Sequence, residues 1–161
     1  MNAQTKILIV DDEEVVRLSY TRILAGPNCK VQAVWSWSQV DQVMREEPFD
    51  VVLLDLRMPD MDGITVLKAL KQPWPESEVI IITGYPTLET AKQAVSLGAY
   101  DYLTKPVNPE QVIHASNAAW LHKRWALHRD AGPANDIDAH RGSFDLPAGL
   151  PPQPEFSRTT S

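Results

Sequence analysis

The sequence predicts a doubly wound α/β fold, with helices on both faces of a five-stranded parallel sheet. Three observations favour this fold. Short apolar runs, several of them rich in β-branched residues, are typical of strands that are buried on both faces of a parallel sheet. Segments between these runs carry apolar residues at helical spacing. The two kinds of segment alternate as βαβαβαβαβα, an order that packs a parallel sheet between two layers of helices.

The five predicted strands coincide with the apolar runs of the chain. They cover residues 6–10, 31–35, 51–54, 79–82 and 100–103. The run at 31–35 is weaker than the runs at 51–54 and 79–82, which contain only valine, leucine and isoleucine. Each run is far shorter than the roughly 20 apolar residues that a membrane-spanning helix needs, so we expect no membrane span.

The first three predicted helices are marked by apolar residues at helical spacing. These are Val15, Leu18 and Ile23, then Val40, Val43 and Met44, and then Ile64, Leu67 and Leu70. Such a stripe on a surface helix ordinarily packs against the sheet. The third helix is expected to start after Asp62 and Gly63.

The last two predicted helices have recognisable ends. Residues 87–97 form the fourth helix, and Gly98 suits the left-handed position that closes many helices. The fifth helix starts at Pro109, a favoured residue of the first turn, with Asn108 as the N-cap. We expect this helix to continue to about residue 129.

The composition is that of one ordinary domain followed by a proline-rich tail. The chain has 161 residues, of which 43% are hydrophobic and 22% charged, and we assign residues 1–129 to the domain. Residues 130–161 contain five prolines and no sustained apolar period, so we expect a disordered tail or linker there. The net charge of -6 argues against a direct nucleic-acid surface and a polybasic membrane surface. The single cysteine, Cys29, and a polar N-terminus favour a cytoplasmic setting.

Polar and charged residues stand where the predicted strands end. Asp11 and Asp12 follow the first strand, Asp55 follows the third, Thr83 the fourth and Lys105 the fifth. The carboxyl ends of parallel strands meet at one edge of the sheet, so we expect these side chains to converge. Three carboxylates together repel one another, and a hard divalent cation such as Mg²⁺ removes that repulsion. With a lysine and a hydroxyl donor nearby, the group predicts a phosphoryl-transfer site with an aspartyl phosphate as covalent intermediate.

Taken singly, each of these residues also suits a structural role. Asp11 or Asp12 suits the cap of the first helix, Asp55 a loop turn, Thr83 a strand and Lys105 an exposed surface. Their joint placement at the ends of four strands favours the phosphoryl-transfer site over five separate structural roles.

Four stretches at these strand ends carry a resemblance to a known family. They are residues 7–12 (ILIVDD), 53–63 (LLDLRMPDMDG), 82–85 (ITGY) and 98–106 (GAYDYLTKP). With them, residues 5–125 resemble the receiver domain of two-component response regulators, and 83–106 looks most like the receivers of enhancer-binding transcription activators. The resemblance implies a (βα)5 flavodoxin-like receiver fold. It also implies a signalling switch that a histidine kinase or a phosphorelay (phosphotransfer) protein phosphorylates.

The resemblance assigns chemical roles to the residues of the group. Asp55 would accept the phosphoryl group, and Lys105 would pair with that group once it is transferred. Asp12, Asp55 and the backbone carbonyl of Arg57 would bind Mg²⁺ directly. Asp11 would hold the ion through water. The peptide bond after Lys105 precedes a proline and would be cis, as is usual in the family.

The resemblance also implies how phosphorylation would change the surface. Thr83 would be the switch hydroxyl, moving toward the phosphoryl group, and Tyr102 the switch aromatic, turning inward afterwards. The face made by the fourth helix, fifth strand and fifth helix would then change. That face would bind an unknown downstream protein or a second copy of the chain. Arg57 and Tyr85 occupy positions that flank the path of attacking water in the family, and we hypothesise that Tyr85 slows dephosphorylation.

Four functions are weighed on the sequence alone. The leading one is a receiver that acts as a switch and has no metabolic substrate. The second is the receiver portion of a DNA-binding transcription regulator, whose output domain is not found after residue 129. The third, a small aspartate-based phosphatase, needs a carboxylate two residues after the nucleophile, where Arg57 stands. The fourth, a receiver that binds without phosphorylation, is disfavoured by the intact Asp55, Thr83 and Lys105.

The last predicted helix carries two features with more than one interpretation. Trp120 and Trp125 suit either core packing or an interface with another subunit or domain. A cluster of basic residues is expected to be a solvated face near the helix end. It consists of His122, Lys123, Arg124, His128 and Arg129.

Overall fold

The computed structural model describes residues 4–59 and 61–130. Of the predicted tail at 130–161, Asp130 is the last residue of the final helix, and the rest lies outside the described residues. In chain order the elements are β1 (Thr5–Val10), α1 (Glu14–Leu24), β2 (Cys29–Val34), α2 (Trp37–Glu46), β3 (Val51–Leu54), β4 (Arg57–Met58), β5 (Met61–Asp62), α3 (Gly63–Lys71), β6 (Glu78–Thr83), α4 (Leu88–Ser96), β7 (Asp101–Thr104) and α5 (Pro109–Asp130).

The main sheet has five parallel strands in the order β2-β1-β3-β6-β7. The chain first moves outward from β1 to β2, and then returns past β1 to β3 and continues the other way. The reversal leaves a crevice at the carboxyl ends of β1 and β3, which is where open α/β sheets bind their ligands. The predicted doubly wound α/β fold is therefore confirmed, and its crevice lies beside the predicted acidic residues.

The predicted strands are confirmed with small shifts in their ends. The second strand starts two residues earlier than the apolar run indicates, at Cys29, and the fifth covers Asp101–Thr104 instead of 100–103. Both lie at the edges of the sheet, where one side of the strand has no neighbouring strand and partly exposed residues interrupt the apolar pattern.

Helices α2 to α5 form where they are predicted, although α3 already begins at Gly63 and α4 covers Leu88–Ser96 instead of 87–97. The Thr87 hydroxyl caps α4, and Gly98 follows that helix with a φ of 89°, the left-handed conformation that glycine adopts without strain. At the start of α5, the Asn108 carboxamide oxygen accepts a hydrogen bond from the backbone N–H of Gln111 at 2.8 Å. The side-chain oxygen of Gln111 in turn accepts a hydrogen bond from the Asn108 backbone N–H at 2.9 Å, so both N–H groups are satisfied.

The predicted inner face of α1 is wrong in part. Val15 and Leu18 are 78% and 58% exposed. The helix instead turns Tyr20 into the core, and Ile23, as predicted, packs beside it together with Val16. The α1 sequence carries two apolar stripes, and spacing alone does not decide which one meets the sheet.

Two hydrophobic clusters fill the two sides of the sheet. Alternate residues of each strand face opposite layers, so Leu8 and Val10 join the cluster under α2, α3 and α4, while Ile7 and Ile9 join the cluster under α1 and α5. Within the described residues, no helix combines the length and apolar character needed to cross a bilayer.

A short hairpin after β3, made of β4 and β5, was not predicted from the sequence. It folds the chain back so that α3 begins at Gly63, beside the backbone of residues 55 and 56. A Cβ atom at Gly63 would lie 2.4 Å from Cα of Leu56 and 2.9 Å from the carbonyl oxygen of Asp55, both too close for any side chain. Only glycine fits there, and its absence of a side chain lets α3 approach the loop that follows β3.

The opposite, N-terminal edge of the sheet holds an ion-pair cluster that corrects the prediction of a solvated basic face. Lys123 of α5 donates to Asp50 at 2.6 Å, and His122 pairs with Glu78 at 3.1 Å. The Asp50 carboxylate also accepts from the backbone N–H of Lys6 at 2.8 Å. Two of the five residues of the predicted basic face are therefore paired with acids that precede β3 or begin β6.

Candidate functional site

The site is an acidic group at the carboxyl ends of β1 and β3. Asp11 and Asp55 are buried, whereas Asp12 is exposed. One carboxylate oxygen from each of the three lies within 4.8 Å of the other two. The structure thus brings together the three acids that the sequence placed at strand ends.

Lys105, which follows β7, binds two of these acids. Its Nζ atom donates to Oδ2 of Asp11 at 2.8 Å and to Oδ2 of Asp55 at 3.2 Å. The peptide bond between Lys105 and Pro106 is cis, as the resemblance implies. The lysine therefore places one positive charge against two of the three acids in this crevice.

The two buried carboxylates are held in the same manner. Oδ1 of Asp11 accepts from the backbone N–H of Glu13 at 2.9 Å, and Oδ1 of Asp55 accepts from the backbone N–H of Arg57 at 3.0 Å. Each acid thus uses one oxygen to order the loop that follows its strand and the other to bind Lys105. The bond from Asp11 makes a local turn ahead of α1 but does not cap that helix, whose N-cap residue, Glu13, has no side-chain cap bond.

Burial and charge act against each other on these groups. Burial raises the pKa of Asp55, while the Arg57 backbone N–H and the positive charge of Lys105 pull it down again without cancelling the rise. Burial alone would lower the pKa of Lys105, but its bond to Asp11 and the charges of Asp11 and Asp55 raise that pKa above its ordinary value. Asp55 is therefore a carboxylate whose charge is stabilised only in part.

The donor set of the crevice fits Mg²⁺. Three carboxylates offer oxygen atoms within 4.8 Å of one another, with no sulfur or imidazole among them, and hard cations such as Mg²⁺ select oxygen ligands. The Asp12 carboxylate is exposed to solvent. A Mg²⁺ ion bound there would keep several of its water ligands, as Mg²⁺ ordinarily does in proteins. Asp12, Asp55 and the carbonyl of Arg57 are the groups that would hold the ion, with Asp11 behind them.

Thr83, at the end of β6, is fully buried. Its hydroxyl accepts a hydrogen bond from the backbone N–H of Tyr85 at 3.1 Å, which ties the side chain to the loop leading to α4. Tyr102 of β7 is half-buried, and its hydroxyl lies 2.8 Å from the Thr90 hydroxyl of α4. Thr83 therefore contacts the loop between β6 and α4, and Tyr102 contacts the first turn of α4.

The two predicted tuning residues contact each other. The guanidinium carbon of Arg57 lies 3.8 Å from the ring centroid of Tyr85, a cation–π contact between the loops after β3 and β6. Both side chains are exposed. The pair stands two residues after Asp55 and two after Thr83, so it forms one wall beside the acidic group.

Sequence reasoning missed two residues of α1 at this site. The Arg17 guanidinium bonds to the backbone carbonyls of Asp11 and Asp12. Tyr20 lies buried near the group, where burial raises the pKa of its hydroxyl, the Lys105 charge opposes that rise and the acids add to it. One signal was available for Arg17, because a cation in the first turn of a helix is unfavourable unless something nearby binds it.

The remaining residues singled out in the sequence lie away from this group. Trp120 of α5 is half-buried and packs against the cluster under α1 and α5, whereas Trp125 is 69% exposed near the end of that helix. Cys29 is a free, half-buried thiol at the edge of the sheet.

Comparison with known proteins agrees with this geometry. Residues 7–117 match the family model of the response regulator receiver domain. A putative response regulator, NtrX-like, from Rickettsia bellii is 38% identical over 109 residues, which are 66% of this chain and 23% of that protein. The DNA-binding transcriptional regulator NtrC from Proteus hauseri is 34% identical over 118 residues, which are 73% of this chain and 25% of that protein.

Solved structures give the same result. A response regulator receiver domain protein (CheY-like) from Methanospirillum hungatei superposes with a TM-score of 0.74 at 27% identity, covering 77% of this chain and 99% of that one. The chain spans about a quarter of the length of the curated relatives it matches, and the matched part is their receiver domain. The fold, the acidic crevice and the match over residues 7–117 lead to one conclusion: the chain belongs to the response regulator receiver domain family of two-component signalling.

Proposed function

We propose that the chain is a phosphorylation-activated switch in which Asp55 accepts a phosphoryl group in a Mg²⁺-dependent reaction. The observation that carries the proposal is the setting of the Asp55 carboxylate. It stands at the end of β3, 3.2 Å from Nζ of Lys105 and beside the carboxylates of Asp11 and Asp12. A carboxylate nucleophile with a fixed cation and an oxygen-only metal site beside it is suited to attack on phosphorus.

The proposed covalent step is a simple displacement at phosphorus. A carboxylate oxygen of Asp55 forms a bond to the phosphorus of a phosphohistidine, and the bond from phosphorus to the donor nitrogen breaks. The imidazole leaves with that electron pair and takes a proton from solvent. In a separate hydrolysis step, the oxygen of a water molecule forms a bond to phosphorus and its proton goes to solvent. The bond from phosphorus to the Asp55 oxygen breaks, which releases inorganic phosphate and the free carboxylate. The chain thus carries out its own phosphorylation and dephosphorylation and has no metabolic substrate.

Each residue of the crevice has a proposed part in this step. Asp12, Asp55 and the Arg57 carbonyl would hold Mg²⁺, and Asp11 would hold it through water. The ion, when bound, neutralises charge on the phosphoryl oxygens. Lys105 supplies a second positive charge, and its two present bonds show that it reaches both Asp11 and Asp55.

The proposed response to phosphorylation runs through Thr83. Its hydroxyl now accepts from the Tyr85 backbone N–H, so a move of the hydroxyl toward the new phosphoryl oxygens releases the loop before α4. Tyr102 is linked to the same segment through Thr90, so a displaced loop changes the position of its ring. The surface formed by α4, β7 and α5 is the proposed output face, used by a downstream protein or by a second copy of the chain.

The phosphoryl donor is proposed to be a histidine kinase or a phosphotransfer protein that docks beside the crevice. Val15 of α1 is exposed and lines a groove together with Lys105, Pro106 and Val107. An apolar rim next to a charged reacting group suits a protein partner that must exclude water from the transfer. A cytoplasmic location, favoured by the lone cysteine, stays a prediction.

A second candidate is supported by the lengths of the relatives. The NtrC relative is named a DNA-binding transcriptional regulator and is about four times longer than the part that matches this chain. The alternative proposal is therefore that this receiver controls a DNA-binding output domain of a longer regulator.

Intact-mass analysis after incubation with Mg²⁺ and a small acyl phosphate tests the proposal. We expect the mass of one phosphoryl group on the wild type and none on Asp55→Asn. Asp41→Asn is the matched control, because Asp41 is a surface aspartate that pairs only with Arg45 among the described residues. A folded wild type that gains no phosphate, with acyl phosphate or with a phosphorylated kinase, would contradict the proposal.

A further inference from the structure

Arg17 contacts the acidic pair through its backbone. The residue lies in the first turn of α1, and its side chain folds back toward the end of β1. Its Nη1 atom donates to the carbonyl oxygen of Asp11 at 2.9 Å and to that of Asp12 at 2.9 Å. One guanidinium nitrogen thus bridges two consecutive peptide groups at the centre of the proposed metal site.

Arg17 is itself held from the other side by Trp35. The guanidinium carbon lies 5.2 Å from the ring centroid of Trp35, within the range of a cation–π contact. Trp35 follows β2, and its backbone N–H donates to the side-chain oxygen of Gln39 at 2.9 Å. The guanidinium group is therefore held between the loop after β1 and the loop after β2.

Asp12 depends on this contact more than the other two acids do. Asp11 and Asp55 are each held by a backbone N–H and by Lys105. The Asp12 carboxylate is exposed, and within the described part of the chain it has no hydrogen-bond partner. Its direction is consequently set by its own backbone, which Arg17 anchors.

We infer that Arg17, held against Trp35, is a positioning residue that fixes the Asp11–Asp12 backbone and thereby presents Asp12 to a divalent cation. The inference rests on the Mg²⁺ site of the proposed function and deepens it. Groups that orient metal ligands ordinarily raise metal affinity although they do not touch the ion.

The charge of Arg17 and its positioning role have opposite effects on Mg²⁺ affinity, so a substitution distinguishes them. A guanidinium group near the site repels Mg²⁺, so removing only its charge would tighten binding. Removing its two hydrogen bonds would loosen the Asp11–Asp12 backbone and weaken binding. Arg17→Gln removes the charge together with the guanidinium group that donates the two bonds. The direction of the change in Mg²⁺ affinity shows which effect is larger.

Mg²⁺ titration of the full chain by isothermal calorimetry is the test, without any phosphoryl donor. We expect the Mg²⁺ dissociation constant of Arg17→Gln to rise about tenfold, the lower end of what loss of an orienting group costs. Arg17→Lys keeps the charge but lacks the planar guanidinium group that lies over Trp35, so we expect it to recover only part of the affinity. Trp35→Ala should weaken binding in the same direction, because it removes the support behind Arg17.

Two controls separate positioning from a general loss of fold. Arg22 is an exposed residue of the same helix, and Arg22→Gln should bind Mg²⁺ as the wild type does. In phosphorylation by an acyl phosphate, Arg17→Gln should need more Mg²⁺ for half-maximal rate but reach the wild-type rate at saturating Mg²⁺. A merely destabilised protein would lose the saturating rate as well.

Binding of Mg²⁺ to Arg17→Gln that equals or exceeds that of the wild type would overturn the inference. So would a loss of affinity matched by an equal loss in Arg22→Gln. If the wild type itself bound no Mg²⁺, the proposed metal site would fail, and this outcome is distinct from the failure of Arg17 alone.

Discussion

The Nζ atom of Lys105 lies 3.2 Å from Oδ2 of Asp55, although 50 residues separate the two along the chain. The same ammonium group lies closer still, at 2.8 Å, to Asp11. Without a metal or phosphoryl group, the single positive charge of the lysine is thus shared between two carboxylates. Asp55 shares this single cation, and burial still raises its pKa above the ordinary value.

Removal of the Asp55 charge should stabilise the fold at neutral pH. An acid whose pKa is raised by folding makes the ionised form costly, and this cost is present in full above the raised pKa. We expect Asp55→Asn to be more stable than the wild type at pH 7 without Mg²⁺ by roughly 1 kcal/mol, a common scale for single substitutions. Denaturant unfolding measures the difference.

The pH dependence of this difference in unfolding free energy tests whether burial of the Asp55 charge is its cause. Below the unfolded pKa of about 3.9, Asp55 is protonated in both states and the advantage of Asp55→Asn should vanish. It should grow as the pH rises from there through the raised pKa of the folded state. An advantage that is constant from acid to neutral pH would show that burial of the charge is not its cause.

Gly63 should tolerate no side chain. The Cβ of Gly63→Ala would lie 2.4 Å from Cα of Leu56, which is backbone and cannot move aside cheaply. We expect a loss of about 3 kcal/mol in unfolding free energy, the upper part of the usual range for overpacking. Gly26→Ala is the control, because nothing lies within 4 Å of its Cβ position. Equal stability of the two variants would refute the close approach of α3 to Leu56.

Tyr85 is expected to slow loss of the phosphoryl group. Its ring stacks on Arg57 and forms a wall beside Asp55. We expect the aspartyl phosphate of Tyr85→Ala to decay roughly two to five times faster, matching the 0.5–1 kcal/mol of an exposed cation–π contact. Tyr85→Phe retains the ring and should decay as the wild type does. The decay is followed by intact mass after removal of the donor, and equal half-lives for Tyr85→Ala and wild type would sink this hypothesis.

Thr83 should matter for the response and not for phosphorylation itself. In Thr83→Ala the hydroxyl that bonds to the Tyr85 backbone N–H is lost, whereas Asp55 and Lys105 are untouched. We expect this variant to accept phosphate but to show little phosphorylation-dependent change in amide hydrogen exchange over β6 to β7. Thr83→Ser retains the hydroxyl and should respond normally. A full exchange response in Thr83→Ala and Tyr102→Ala would rule out the proposed relay.

Much of this fold and site was predictable because buried parallel strands produce continuous apolar runs. Such runs located β3 and β6, and with them the residues that follow each strand, Asp55 and Thr83. Because the carboxyl ends of parallel strands meet at one edge of the sheet, the strand ends in the sequence predicted which acids lie together in the fold.

The errors have physical causes in contacts that spacing does not encode. Helix α1 offers one stripe through Val15 and Leu18 and another through Val16 and Tyr20, and only packing selects the second. The pairing of Lys123 with Asp50 joins residues 73 positions apart, so neither signals the other along the chain.

The short hairpin and the backbone partners of Arg17 also could not be predicted from the sequence. The hairpin after β3 consists of two-residue strands, which are too short to show alternation. The position of Arg17 in the first turn of a helix signals that something nearby binds it, but its partners are carbonyl oxygens, which every residue has and no motif marks.

Location of the phosphoryl group within the chain tests the central claim most directly. The wild type would be phosphorylated with Mg²⁺ and an acyl phosphate, reduced with borohydride and digested, because reduction converts an aspartyl phosphate to homoserine. The account predicts homoserine at position 55, absent when a chelator removes Mg²⁺. Homoserine at Asp11 or Asp12 instead, or the same yield without Mg²⁺, would contradict it.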